Sequence, residues 1–274
     1  MLFNIYLIFS ILADLLITVF GDLINSFADI WKPILLFVGL FFVCLIINVI
    51  MILVVVPFAK KEGEIVESVR WVTLNSIDVF LRLLRVKVHV TGMEMMPENE
   101  RFLLVCNHKT FFDPIIGLRV YKDYRLAFIS KKENLKIPIG NKIIKGMGCV
   151  SLDREDDRAA VKTILQASKL IKSGEMSMGI YPEGKTNRTD ELLLNFRNGA
   201  FKIAQRAGAP IVVTTIFGTE HIKKRMFFRR TDIYVDVLDV LPHEAIVGIN
   251  TDEIGNRVHD IMLENLKKRL SEVR

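Results

Sequence analysis

Apolar positions recur along the chain in three different rhythms, and each predicts a different kind of element. Residues 33–57, PILLFVGLFFVCLIINVIMILVVVP, form one continuous run of 25 positions without a charge. As a helix this run would reach about 37 Å at roughly 1.5 Å per residue, against a bilayer core of about 30 Å. The pattern predicts a membrane span, with an interfacial or protein-buried helix as the alternative. Residues 1–20 are also apolar but are interrupted by Asn4 and Asp14. A charge in mid-span is costly, so a second span and an interfacial helix both stay open there. From about residue 64 the rhythm turns helical, with Ile65, Val69, Val72, Ile77, Phe80 and Leu84 in period. Val86, Val88 and Val90 then alternate as a first strand.

Beyond that point short apolar runs alternate with helical stretches. The runs are 102–106, 125–130, 149–152, 176–181, 211–217 and 232–240, and the helix candidates lie near 114–122, 135–147, 156–173, 197–207 and 251–271. Alternation of this kind predicts an α/β fold, a central mixed sheet flanked by helices, behind an N-terminal helical membrane anchor. The expected division is an anchor over 1–60, with one or two apolar helices, and a globular domain over 61–274.

Composition sharpens this division. The chain has 274 residues, 51% of them hydrophobic, and a mean hydropathy of +0.33, which excludes a disordered or collagen-like chain. Residues 1–57 hold one basic residue (Lys32) against three acidic ones (Asp14, Asp22, Asp29), a net of −2, so the rest of a chain of net +6 carries +8. No Lys or Arg precedes Lys32 and no small-residue cleavage site follows, the pattern of a retained segment rather than a removed signal peptide. Lys60 and Lys61 follow the strong span, which places the basic domain on the cytoplasmic side of a cell membrane. Cys44, Cys106 and Cys149 are too far apart for a zinc pattern or a disulfide framework. The positive balance beside an apolar anchor favours a lipid surface over nucleic acid as partner.

Chemistry concentrates just after two of the predicted strands. Asn107-His108-Lys109-Thr110-Phe111-Phe112-Asp113-Pro114 follows the run 102–106, and polar groups at the carboxyl end of a strand in an α/β sheet are where ligands usually bind. Asp113 before Pro114 suits the N-cap and first position of a helix, with 108–113 as a turn that folds the carboxylate back onto the imidazole. A carboxylate on one ring nitrogen fixes the tautomer and leaves the other nitrogen free to accept a proton. The bland alternative is a capping Asp113 beside a locally bonded His108. Cys106 ends a strand and is expected to be a small buried hydrophobe rather than a nucleophile. No third ligand stands at metal-site spacing.

The second cluster is Gly179-Ile180-Tyr181-Pro182-Glu183-Gly184-Lys185-Thr186-Asn187-Arg188. Its hydroxyl, amide and basic groups suit a phosphate, and equally a solvated polar turn. Between the clusters lie Lys131, Glu133, Pro138, Gly148 and Arg154, and after them Phe196-Arg197-Asn198-Gly199-Ala200-Phe201 and Pro210-Ile211.

In this order the four stretches, spanning roughly residues 85–240, resemble the glycerolipid acyltransferases, the 1-acylglycerol-3-phosphate acyltransferases and their relatives. Asn107-His108 through Asp113 is similar to that family's NHxxxxD motif, and Tyr181-Pro182-Glu183-Gly184 to its FPEGTRS block. The resemblance implies acyl transfer from acyl-CoA or acyl carrier protein to the free hydroxyl of lysophosphatidate, giving phosphatidate. It implies His108 as general base, Asp113 as its orienting carboxylate, and no metal or resident cofactor. It implies acceptor binding by Asn107, Lys131, Arg154, Glu183, Gly184, Lys185, Thr186 and Arg188. Thr186 stands where the family has a phosphate-binding arginine, with Lys185 and Arg188 as substitutes. Asn141 and Val213 replace a family glycine and proline. The departures keep other acceptors open, glycerol 3-phosphate or another lysolipid among them, as well as an impaired lipid-binding scaffold; a metal-dependent lipid hydrolase using His108 and Asp113 is a third alternative.

Overall fold

A computed structural model describes residues 2–21, 23–59, 61–153 and 156–273, without the side chains of residues 157 and 273. Lys60 and Arg154 therefore lie outside the described residues. Two long apolar helices come first, α1 (Leu2–Phe20) and α2 (Trp31–Val55). Both are long and apolar enough to cross a membrane. Most of their large side chains are exposed, Ile8, Leu12, Leu16, Ile34, Phe42 and Ile46 among them, as expected of helices whose solvent is lipid. One polar pair links them: the buried Asn48 side-chain amide donates to the Tyr6 hydroxyl at 3.3 Å.

The helical period from residue 65 becomes α3 (Glu67–Leu83). It joins the two parts: Val79 and Leu83 pack against Leu2, Tyr6 and Cys44 of the apolar pair, while Ile77 and Leu81 belong to the main core. The alternating valines form β1 (Val86–Thr91). Then follow β2 (Leu103–Cys106), α4 (Phe112–Val120), β3 (Leu126–Lys131), α5 (Gly140–Gly146), β4 (Val150–Leu152), α6 (Asp157–Lys172) and β5 (Ser177–Ile180). The chain ends with α7 (Lys202–Ala207), β6 (Ile211–Phe217), α8 (Ile222–Arg225), β7 (Thr231–Leu241) and α9 (Thr251–Val273). Each expected strand is present.

The seven strands form one sheet in the order β1-β7-β6-β2-β5-β3-β4. β2 lies parallel to β5 and β6, and β3 parallel to β4 and β5; β7 is antiparallel to β6 and parallel to β1. The sheet is therefore mixed, as expected. β2, β5 and β6 are buried at every position, which explains why they read as continuous apolar runs rather than alternating ones. α9 is fixed to β7 by Arg269, whose guanidinium bonds both oxygens of buried Asp236 at 2.6 and 2.8 Å.

Below the carboxyl end of β5 a single aromatic ring sets the spacing. Phe128 on β3 stacks on Tyr181 at 5.3 Å with planes 4° apart. Gly117 and Gly179 make room for it, since a Cβ at either position would overlap the Phe128 ring. Gly179→Ala is therefore expected to overpack this layer and destabilise the fold by about 1–3 kcal/mol. Thermal unfolding of the variant in detergent checks this, and an unchanged midpoint would contradict it.

Candidate active site

The carboxyl ends of β2, β5 and β6 lie side by side, and the turns leaving them bring His108, Glu183 and Thr219 together. His108 lies two residues beyond β2 and Asp113 in the first turn of α4. The Asp113 carboxylate folds back onto the imidazole as anticipated, but the turn ends before residue 112 rather than running to 113, and Asp113 is not the N-cap. The helix has already begun at Phe112, whose amide donates to the Thr110 hydroxyl at 3.1 Å. The carboxylate is thus free to turn back. Asp113 Oδ2 accepts from His108 Nδ1 at 2.9 Å and from the amides of Lys109 and Thr110, both at 2.7 Å. Its Oδ1 accepts from the hydroxyls of Thr219 at 2.6 Å and Thr110 at 3.3 Å. Asp113 is fully buried, and every one of these partners is a donor.

With Nδ1–H directed at Asp113, Nε2 is the acceptor nitrogen of the neutral ring. It faces the Thr186 hydroxyl at 3.1 Å. Tyr181 stacks on the imidazole at 4.3 Å, so His108, Tyr181 and Phe128 form a continuous ring stack down to β3. The histidine side chain is 16% exposed. A carboxylate-oriented imidazole with a hydroxyl on its second nitrogen is equipped to take a proton from that hydroxyl.

The remaining positions divide between holding the frame and offering charge. Glu183, expected among acceptor-binding groups, has both oxygens engaged by main chain: Oε1 by the His108 amide at 2.6 Å and Oε2 by the Leu194 amide at 3.0 Å. Burial pushes its carboxyl above the ordinary value, and these amide bonds act in the opposite direction. Asn107 likewise faces protein, its side chain pairing with both the N–H and the C=O of Ile216 at 2.8 and 2.9 Å, which locks β2 to β6. Asn187 donates its amide to the His108 carbonyl at 2.7 Å. Gly184 adopts φ +70°, and the Arg197 side chain lies directly against it.

Lys185 and Arg188 are exposed beside Thr186, and neither they nor Arg197 forms an ion pair among the described residues. Lys131, at the end of β3, is half-exposed and paired with Glu133 at 3.1 Å. Arg154 lies outside the described residues. Thr219 and Arg197 are site residues that sequence reasoning did not single out. A threonine after Gly218 carries no spacing signal, and Arg197 sat in a recognised stretch without an assigned role. Next to Tyr181 and Gly184 opens a cavity of about 260 Å³, walled by Ile129, Leu152, Ile164 and Ile203 with Arg197 at its rim. Cys106 is buried, and burial pushes its thiol well up, unsuited to a nucleophile. Among the described residues no group of three or more His, Cys, Asp or Glu is arranged to hold a metal ion.

Known proteins resemble this chain in sequence and in fold. The Acyltransferase family profile matches residues 87–216. The 1-acyl-sn-glycerol-3-phosphate acyltransferase of Borreliella burgdorferi is 28% identical over 197 residues, 68% of this chain and 78% of that protein. The chloroplastic enzyme of the same name from Brassica napus is 35% identical over 184 residues, 66% of this chain and 51% of that longer protein. The human alpha enzyme is 24% identical over 76% of this chain and 73% of its own. In fold the chain is similar to the crystal structure of the lysophosphatidate acyltransferase PlsC from Thermotoga maritima, with TM-score 0.58, 24% identity, and 73% and 80% of the two chains covered. The chain thus belongs to the glycerolipid acyltransferase family and is an O-acyltransferase.

Proposed function

We propose that this acyltransferase esterifies the free hydroxyl of 1-acylglycerol 3-phosphate, with His108 as general base and Asp113 as the carboxylate that orients it. One observation carries the assignment: the His108 Nδ1–Asp113 Oδ2 bond of 2.9 Å leaves Nε2 facing a hydroxyl at 3.1 Å. The acceptor hydroxyl takes the place of the Thr186 hydroxyl and gives its proton to Nε2. Its oxygen attacks the thioester carbonyl of acyl-CoA or acyl carrier protein, and the proton passes to the departing thiolate. Asp113 steadies the imidazolium formed in between. The apolar cavity beside Tyr181 receives an acyl chain, and Lys185, Arg188 and the rim guanidinium of Arg197 meet the acceptor phosphate through charge-assisted bonds. α1 and α2 hold the site at the cytoplasmic face of a membrane, where a lysolipid arrives from the leaflet and a soluble donor from solution.

The Lys185-Thr186-Asn187 departure motivates the competing idea of an inactive lipid-binding relative. Purified full-length protein given radiolabelled acyl-CoA and a panel of acceptors separates the two, and acyl transfer to no lysolipid would overturn the proposal. His108→Ala is expected to lower kcat by about 10²- to 10⁴-fold while acceptor binding persists; a variant of unchanged kcat contradicts the role.

Glu183 acts as a positioning residue for His108. Glu183→Gln places an N–H₂ against one of the two main-chain amides, costing about 1–3 kcal/mol of stability. Its effect on activity is expected in kcat, with the KM for acceptor little changed. In the wild type the carboxyl binds its proton more tightly folded than unfolded, so stability falls as pH rises from the ordinary carboxyl value through the raised one. Denaturant melts across acidic pH check this, because the glutamine variant loses that part of the slope.

A further inference from the structure

A basic, aromatic connection leaves the same sheet edge as the active site and takes no part in the chemistry described above. Between β6 and β7, residues 223–230 read Lys-Lys-Arg-Met-Phe-Phe-Arg-Arg. Phe228 is 86% exposed and Phe227 59%. Phe227 also holds φ +68°, a conformation costly for a bulky L-residue, so the chain presents these rings outward at the expense of local strain. Lys223, Lys224, Arg225 and Arg229 are exposed and form no ion pair among the described residues. Arg230 is turned onto Asp232.

The topology fixes where this connection sits. β7 is antiparallel to β6, with Phe217 opposite Tyr234, so the segment between them lies at the carboxyl end of β6, the edge that carries His108 and Thr219. β1 is parallel to β7 and starts level with it, Val86 opposite Thr231, which brings the end of α3 to that edge too. There Arg85 Nη1 donates to the Phe228 carbonyl at 3.1 Å. Three residues earlier on α3, Arg82 donates to the Asn4 side chain at 2.8 Å and lies over the Phe3 ring at 5.5 Å. Asn4 and Arg82 stand where the exposed apolar surface of α1 begins, from Ile5 onward. On the same edge Phe111, 68% exposed, packs on Phe112, which stacks on Phe80 of α3. Aromatic surface therefore runs from the apolar helices past α3 to the turn that holds His108.

We propose that residues 223–230 form a second membrane contact, with Phe227 and Phe228 entering the interface and the surrounding cations resting on anionic lipid headgroups. Apolar rings flanked by basic side chains are what such an interface accepts. An acidic carrier protein would match the charge but not two protruding phenylalanines on the edge where the exposed apolar surface of α1 begins. The inference rests on the membrane anchoring proposed above. Together with α1 and α2, the contact turns the His108 edge toward the bilayer, so that a lysolipid need not leave the leaflet fully to reach Nε2.

The three native cysteines are free and buried, which allows selective labelling of new surface thiols in the full-length chain. An environment-sensitive fluorophore is attached to Phe228→Cys, to Ile46→Cys on the exposed face of α2, and to Lys172→Cys at the opposite edge of the sheet. Each is reconstituted in vesicles of phosphatidylcholine with or without phosphatidylglycerol. Expected are a blue shift and quenching by spin-labelled lipid at 228 and 46 but not at 172. The signal at 228 should weaken at least about twofold without phosphatidylglycerol or when Lys223, Lys224 and Arg225 are all glutamine. Quenching at 46 with none at 228 overturns the second contact and leaves the anchor standing. Quenching at neither overturns both, and shielding of 228 by an acidic carrier protein but not by vesicles also overturns the proposal.

Discussion

The site depends on one buried carboxylate and the five donors that converge on it. Asp113 gathers an imidazole nitrogen, two main-chain amides and two hydroxyls. These come from the turn after β2 and from the end of β6, so the carboxylate stitches two neighbouring strands at their carboxyl ends. A buried carboxylate without such partners would be costly. With them it is an electrostatic pin, and the orientation of His108 follows from the same bonds that satisfy the charge.

A second carboxylate repeats the device at another level. Glu183 links the His108 amide to the Leu194 amide, Asn187 returns to the His108 carbonyl, and Lys109 Nζ reaches the carbonyls of Thr189 and Glu191 at 2.7 and 3.1 Å. The turn after β2 and the long segment after β5 are thereby one hydrogen-bonded unit. Underneath, the stack of Phe128, Tyr181 and His108 supports the imidazole from the sheet. The cations at 185, 188 and 197 hang on this frame without being consumed by it.

Much of this was legible in the residues. The six apolar runs and the alternating valines became the seven strands, the central ones continuous because strands buried on both faces need apolar side chains throughout, and a turn ahead of Pro114 allowed the pairing of His108 with Asp113. The start of α4 was misplaced by two residues because the helix begins at Phe112, after an N-cap at Phe111 that carries no capping side chain. What the sequence could not show was strand order. Thr219 meets Asp113 only because β6 lies beside β2, and Asn107 locks onto Ile216 for the same reason. Spacing along the chain carries no trace of contacts across more than a hundred residues. The family resemblance implied an acceptor-binding role for Glu183, whereas its two oxygens accept from the main-chain amides of His108 and Leu194.

The Thr186 hydroxyl on Nε2 has a consequence for how an acceptor is selected. An alcohol that displaces it exchanges one hydrogen bond for another of the same kind, and the count at the base is unchanged. Water gains as little. Discrimination therefore shifts away from the reacting oxygen toward the far ends of the molecule, its charge and its tail. Under the proposed mechanism, a small hydroxylic solvent molecule, having neither, would meet a base whose Nε2 already faces the Thr186 hydroxyl, and a bound thioester would be spared hydrolysis until a full amphiphile arrives.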